Sequence, residues 1–419
     1  MTDFDIIVVG GGTSGLMASV TAAANGKRVL LLDKNPSLGK KLLLTGGTRC
    51  NVTNSHPVDD IIRHIPGNGR FLHSAFSQFD NKDIVQFFES RGVTLKEEDH
   101  GRLFPTTDSA KTILNTFIEE IKQQHVTVRT NIRVTKLLGT DAIEGVELET
   151  GERITSSAVI VTTGGKSYPK TGSTGDGYSL VTPLGHTITE LFATEVPLTS
   201  DEKFIREQTL RALSLRDIEL SVLNKKGKVV IAHRMDMIFT HFGISGPAVL
   251  RCSSFVHQIQ KRDNTTHVTM KLDVLPSYSL AELNNQWEKW HTEHPQKSIK
   301  THMKELLPER YVEFLCHQAA IEPQTPLYQL NEKQQEQLLQ LVKGFTFTVN
   351  GSLPIEKGFV TGGGISLKEV NPKTMESKLV SGLFFAGEVL DIHGYTGGYN
   401  ITAAFVTGHT AGTHASLSV

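Results

Sequence analysis

Cysteine is scarce in this 419-residue chain, which holds only Cys50, Cys252 and Cys316. They lie far apart with no C-x-x-C pair, so there is neither a disulfide framework nor a zinc or redox-pair signature, and no metal is expected. An excess of one charge is equally missing, with 43 basic against 44 acidic side chains. No global field draws such a chain to nucleic acid or to an anionic membrane; only a local basic patch could do so. No apolar run reaches the ~18 residues of a spanning helix. The chain enters its first strand almost at once, at Asp5, so no signal peptide and no membrane partner are expected, and the setting reads as cytoplasmic. There is no internal repeat or low-complexity tract. The length suffices for a sizeable core and at least two domains.

Against these absences stand two glycine-punctuated segments near opposite ends of the chain. The first, IIVVGGGTSG (Ile6 to Gly15), puts Gly10, Gly12 and Gly15 in G-x-G-x-x-G spacing between an apolar run and the small-residue stretch SGLMASVTAAANG. In that context Gly10 permits a tight turn, Gly12 lets backbone approach a pyrophosphate, and Gly15 lets a helix beginning at Thr13 and Ser14 pack on the strand. Eighteen residues after Gly15, RVLLLD ends in Asp33, placed to accept from two ribose hydroxyls and to repel a 2′-phosphate. The expected nucleotide is therefore FAD or NAD rather than NADP.

The second segment, GLFFAGEVLDIHGYTGGYNITAA (Gly382 to Ala404), selects between them. A simple NAD enzyme completes its site early in the chain. Here a late apolar strand, Leu383 to Ala386, runs into Gly387, Glu388 and Asp391, as where flavoproteins meet the ribityl and phosphate part of FAD. Gly397 and Gly398 then open a helix at Tyr399, Asn400 and Ile401. Its first N–H groups have no intrahelical partner and suit the flavin pyrimidine edge, where reduction deposits negative charge. The expected cofactor is FAD.

Five stretches carry a resemblance that covers essentially the whole chain: LGKKLLLTGGTRCNVTN (Leu38 to Asn54), VIVTTGGKSYPKTGSTGDGY (Val159 to Tyr178), FTHFGISGPAVL (Phe239 to Leu250), FVTGGGIS (Phe359 to Ser366) and GEVLDIHGYTGGYNITAAFVTG from Gly387. Together they resemble the HI0933-like flavoproteins, a family that includes BaiN-like and aminoacetone-oxidase-like proteins. Thr48 departs from the pattern, which expects glycine there. The resemblance implies FAD and a cytoplasmic bacterial setting. Members are connected with small-amine oxidation, with reduction of conjugated enones and with reduction of a uridine in ribosomal RNA, so the substrate stays open.

The expected architecture is α/β. A Rossmann-type FAD-binding domain, of the kind with two dinucleotide-binding folds, is built from 1–193 and 356–419 and is interrupted by an inserted β-rich plus helical domain at 194–355. A substrate would meet the flavin in the cleft between them. Within the first part, DIVQFFESRG and TILNTFIEEIKQQ read as helices, and VTVRTNI, IEGVELET and ERITSSAVIVTT as strands. In the insert, DIELSVLN and KVVIAHR form a hairpin across KKGK, VTMKLDVLP is a strand, and SLAELNNQWEKWHTEH, KSIKTHMKELL and NEKQQEQLLQLVKGF are amphipathic helices.

Three motifs are declined. GGKS (Gly164 to Ser167) lacks the earlier glycine of a phosphate loop, since position 160 is Ile160. GISGP has Pro247 where a nucleophile elbow has glycine. NVTN is a glycosylation acceptor only in a secreted protein. TGGGIS fails its third glycine at Leu367, so a dedicated NAD(P)H domain is unsupported; NADH or NADPH would dock transiently as donor, or electrons would leave to oxygen.

In this family type the loop after Asp33 runs toward the pyrophosphate and flavin ring, which makes Lys34, Lys40, Lys41, Gly46, Gly47, Arg49, Cys50 and Asn51 candidates, with Thr163, Gly164 and Gly165 counted beside them. The cations could neutralise phosphate, or simply face solvent; for Arg49 the ligand role is favoured. Cys50 could protonate a reduced carbon, but a free cysteine is more often a buried small hydrophobe. His393 and Tyr395 flank a glycine just before the flavin-facing helix. Histidine is the natural proton donor near neutral pH, against an equally weighted loop-capping role. For His241 and Arg102 the structural reading wins. The expectation is an FAD-dependent oxidoreductase acting on a small molecule such as an amine or enone. A ribosomal-RNA uridine reductase, with Lys166, Lys170, Lys225, Lys226 and Lys228 on its rim, and a non-catalytic FAD-binding regulator are the alternatives.

Overall fold

The computed structural model of the protein describes residues 2–419. The chain forms two compact units, one running to Phe192 and resuming over Ile355–Val419, the other comprising Ala193–Pro354.

In the first unit, Phe4–Val9 lies between Val29–Asp33 and Arg153–Val161, parallel to both. Thr127–Thr130 extends the parallel sheet beside Val29–Asp33, and Leu383–Phe385 lies parallel to Arg153–Val161. Val29–Asp33 is buried throughout, the continuous apolar run of a strand covered on both faces. Arg153–Val161 shows both strand types in one segment. Its first half alternates exposed and buried residues and pairs antiparallel with Ile143–Leu148; its second half is wholly buried between parallel neighbours.

The glycine-opened helix Thr13–Ala24 packs on the last helix, Tyr399–Leu417. A Cβ at Gly408 would lie 2.5 Å from the Ser14 carbonyl oxygen, and one at Gly412 would lie 2.6 Å from that of Ala18. The two backbones therefore touch, which only glycine permits. The last helix also buries Phe405 against Phe88 and Phe117, with ring centroids 5.8 and 5.7 Å away. These rings come from Asn81–Glu89 and Ala110–Gln123, helices expected from periodicity. Each such fully buried ring is worth about 2–3 kcal/mol of transfer free energy.

The second unit is built on a seven-stranded antiparallel sheet. The expected hairpin is Ser214–Leu223 with Val229–Phe239, its turn held by Asn224 Oδ1, which accepts from the N–H groups of Lys226 and Lys228 at 2.9 and 3.0 Å. In the helix Leu280–Glu293, Leu283, Trp287 and Trp290 form the buried stripe. KSIKTHMKELL gives only the short helix Ile299–Met303, because Pro308 N-caps a separate helix, Glu309–Gln318. That helix and the 17-residue Pro247–Asp263 are absent from the sequence-based expectations. The latter begins with proline at its first position, straight after a strand and glycine, and so reads locally as a loop.

Candidate active site

At the first turn, the Gly10 N–H donates to the Leu32 carbonyl (2.8 Å), and Thr162 Oγ1 donates to the carbonyls of Val9 (3.0 Å) and Gly10 (2.7 Å). Three strand ends are thereby stitched together. A Cβ at Gly15 would sit 1.8 Å from the Gly10 oxygen, so glycine is obligatory there, whereas a Cβ at Gly12 would meet nothing within 4 Å. Gly12 is the N-cap of Thr13–Ala24, and no side chain caps that helix. Its first N–H donors and positive end thus face open space. Asp33 is buried beside the turn. Its Oδ2 accepts from Gly11 N–H and its Oδ1 from Asn35 N–H, both at 2.7 Å; each oxygen keeps a second lone pair.

The loop after this strand is backbone-strained. Gly46, Gly47, Thr48 and Cys50 all have positive φ, at 55°, 66°, 73° and 63°, a region that costs a β-carbon-bearing residue about 1–2 kcal/mol. The Cys50 thiol is fully buried, which pushes its pKa up to about 12, so it stays protonated at neutral pH. Asn51 is buried next to Gly398, and its Oδ1 has no partner within the protein.

Of the cations considered for phosphate, Arg49, Lys41 and Lys34 each pair with a carboxylate of the protein. Arg49 lies over the Phe104 ring (4.2 Å) and bonds Glu98 at 2.7 Å and Asp108 at 3.3 Å. Lys41 bonds Glu388 at 2.6 Å and Ser167 at 3.2 Å. Lys34 bonds Thr174 and, at 2.6 Å, Asp176; Lys40 reaches Asn35 Oδ1 at 3.2 Å. Glu388 also accepts from Thr361 N–H (2.8 Å) and Ser167 Oγ (2.9 Å). Beside it, a Cβ at Gly165 would fall 2.3 Å from Thr361 Oγ1, while Gly164 has φ +73°. The buried Thr163 Oγ1 has no protein partner.

The late segment closes on the early one. Ser14 Oγ donates to the Ala386 carbonyl at 3.3 Å, the Gly387 N–H donates to Thr407 Oγ1 at 3.0 Å, and a Cβ at Gly387 would lie 2.4 Å from Ser14 Oγ. The loop ahead of the last helix is fixed by Asn400, whose Oδ1 accepts from Gly394 N–H (2.7 Å) and whose Nδ2 donates to the Gly394 and Tyr395 carbonyls. Asn68 Nδ2 donates to the Asp391 carbonyl at 2.8 Å. His393 and Tyr395 are both buried. Tyr395 N–H donates to the His64 carbonyl (3.0 Å), and His64 stacks on Tyr399 at 4.6 Å. Gly397 is held by Asn54 Nδ2, which donates to its carbonyl at 3.1 Å. The helix then starts at Tyr399 with Gly398 as N-cap and no side-chain cap, and Ile401 is buried in its first turn.

Thus Asn51, Gly397, Gly398 and the loop bearing His393 and Tyr395 meet at the second uncapped helix start, while Gly10 to Gly15 and Asp33 surround the first. Arg102 pairs with Asp99 at the surface; His241 is exposed against Phe242 in the second unit. Asn54, Thr162 and Thr361 join these networks from within the quoted stretches without having been singled out, and His64 and Gly67 lie outside every quoted motif.

The fit to a flavin dinucleotide rests on these features: two helix N-termini without caps, open space at Gly12, and buried acceptors at Asn51 and Thr163 that the protein leaves unpartnered. A Rossmann-type sheet with such a turn defines a dinucleotide-binding fold, and the family to which the chain belongs makes the class that of FAD flavoproteins of the oxidoreductase type. The chain belongs to the HI0933-like family, whose Rossmann-domain model matches residues 4–414. It is 31% identical over 406 residues to a "Ribosomal RNA dihydrouridine synthase" of Escherichia coli K12, covering 97% of this chain and 96% of that one. It is 29% identical over 409 residues to a "3-dehydro-bile acid delta(4,6)-reductase" of Clostridium scindens, covering 97% of each. Among solved structures it resembles an open flavocytochrome c3 fumarate reductase, with TM-score 0.52, 18% identity and coverage of 99% of this chain and 78% of that one. At that identity the likeness speaks for the fold alone. Among the described residues no helix is long and apolar enough to cross a membrane.

Proposed function

We propose that the protein is an FAD-dependent reductase that saturates a C=C bond conjugated to a carbonyl, and that its substrate is a uridine of ribosomal RNA in the cytoplasm. One observation supports this above others: two full-length relatives are named for reactions on different molecules that share this chemistry. Uridine to dihydrouridine saturates the bond conjugated to the C4 carbonyl, and a steroid enone presents the same group. When bound, FAD would supply hydride-transfer chemistry, with NADH or NADPH as the electron source.

The chain's own part is binding, orientation and proton supply. The helix N-terminus at Gly12 to Gly15 would hold the pyrophosphate and Asp33 the ribose. The helix beginning after Gly398, with Asn51 at its side, would hold the flavin, its first N–H groups stabilising the negative charge that reduction creates. His393 delivers a proton to the carbon α to the carbonyl; Cys50, buried and strongly protonated, packs the loop. Lys34, Lys41 and Arg49 shape the site through their ion pairs.

The reading is tested by incubating the purified protein with FAD, NADH or NADPH, and ribosomal RNA from a strain lacking the gene, then measuring dihydrouridine by mass spectrometry. Formation of dihydrouridine supports it. Unchanged RNA beside rapid reduction of a steroid enone would replace the RNA with a small-molecule substrate, the reading that the bile-acid-reductase relative favours.

A further inference from the structure

Gly67 and His393 lie side by side on antiparallel backbone. The Gly67 N–H donates to the His393 carbonyl at 2.9 Å, and the His393 N–H donates to the Gly67 carbonyl at 3.2 Å. A Cβ at position 67 would fall 2.1 Å from His393 Nδ1, 2.3 Å from Cε1 and 2.5 Å from Cγ, inside contact distance of the imidazole. Gly67 is not in the left-handed region, so its backbone would accept another residue; the ring would not. Phe192 meets the same imidazole edge-on, centroids 5.5 Å apart at 85°. Phe192 in turn depends on a second glycine, since a Cβ at Gly362 would lie 2.4 Å from its Cζ. Gly362 also has ordinary backbone.

We propose that Gly67 is a positioning residue: by lacking a side chain it sets the plane and depth of the His393 imidazole, and Gly362 does the same at one remove through Phe192. The proposal rests on the proton-donor role given to His393 above. An acid must sit within hydrogen-bond reach of the carbon it protonates, and a displacement of about 1 Å is enough to slow such a step about a hundredfold.

The test is a double-mutant cycle on the FAD-loaded protein, combining Gly67→Ala with His393→Ala. It is read in two ways: the thermal unfolding midpoint, which needs no substrate, and the rate of dihydrouridine formation in ribosomal RNA. In the His393 background, Gly67→Ala is expected to lower the midpoint by about 4 °C and the rate about a hundredfold. With His393→Ala present, where the ring is gone, it should change neither further. An equal penalty in both backgrounds, or none in either, overturns the proposal, because the glycine would then serve the backbone alone or nothing. Should Gly67→Ala fail to fold, the double variant is expected to fold, and Gly362→Ala with Phe192→Ala provides a second cycle of the same form. If His393→Ala turns over RNA normally, the proposed acid is wrong, whereas the unfolding cycle still judges Gly67 by itself.

Discussion

Three helices of the second unit and two of the first begin in opposite ways. In the second, Ser279 with Glu282 and Asn331 with Gln334 form complete capping boxes, and Ser298 caps the helix after it. In the first, the helices starting at Thr13 and Tyr399 have glycine at the N-cap and no side chain satisfying their N–H groups. The first unit can cap a helix, as Asp80 and Asp83 do for Asn81–Glu89. Bare starts recur elsewhere, as at Ala110–Gln123 and at Pro247–Asp263, whose N-cap is also glycine; at Gly12 and Gly398 a dinucleotide would supply the missing acceptors.

The sharpest way to break this contrast is at Gly12. Because a Cβ there meets nothing in the protein, Gly12→Val should leave the unfolding midpoint of the flavin-free protein unchanged, yet weaken FAD binding at least about a thousandfold, on the order of 4 kcal/mol, by filling the pyrophosphate space. Full flavin content in this variant, measured by absorbance against protein, would defeat the cofactor assignment. Gly15→Ala is the counterpart: its Cβ would overlap the Gly10 oxygen, so the flavin-free protein itself should be destabilised.

The far end of the last helix packs His409 into the first unit, and pH tests that contact. His409 stacks on Phe79 at 4.0 Å, and burial lowers its pKa from 6.5 to about 4. The unfolded chain therefore binds this proton first as pH falls. The stabilisation is complete above pH 6.5 and is lost between 6.5 and 4, by about 3 kcal/mol at most. His186 adds a loss of the same sign, since burial outweighs the Glu369 carboxylate beside it. Urea unfolding at pH 7 and 4.5 should show a smaller loss for His409→Phe than for the parent; an identical loss would show that His409 is not the group responsible.

Removing real caps should have the reverse pattern to Gly12. Ser279→Ala and Asn331→Ala are expected to cost about 1 kcal/mol each with flavin content untouched; a drop in flavin would mean that the second unit's helices matter to the site. The smallest effect is at Thr48, a β-branched residue at φ 73°. Thr48→Gly should stabilise the protein by roughly 0.5 kcal/mol, the left-handed strain released less the entropy glycine adds to the unfolded chain. Destabilisation would show that the threonine methyl or hydroxyl makes a contact worth more than the strain.

What could be read in advance follows the range of the interactions. The glycine turn, Asp33, the hairpin at KKGK and the helices around Phe88, Phe117 and Trp287 depend on neighbours a few residues away, and their patterns stand in the sequence. The partners of Arg49, Lys41 and Lys34 do not. A loop cation has the same local signature whether it faces a phosphate or a distant carboxylate, and Glu388 lies 347 positions from Lys41. Gly67 is silent for the same reason: the ring that demands it arrives from His393. The helix Pro247–Asp263 was hidden by its Gly-Pro start, where local chemistry signals a turn.

The hydrogen bond from Ser14 to Ala386 spans 372 positions, and it fixes a timetable. At 5–20 residues per second, roughly 20 to 70 s separate the appearance of the first helix on the ribosome from that of the strand it must meet. Throughout that interval the backbone face that Gly408 and Gly412 will cover is bare, and the proposed cofactor seat is half built. On the proposed function, flavin capture is thus a late event in the biosynthesis of this chain, and the onset of yellow colour would date the moment its two halves join.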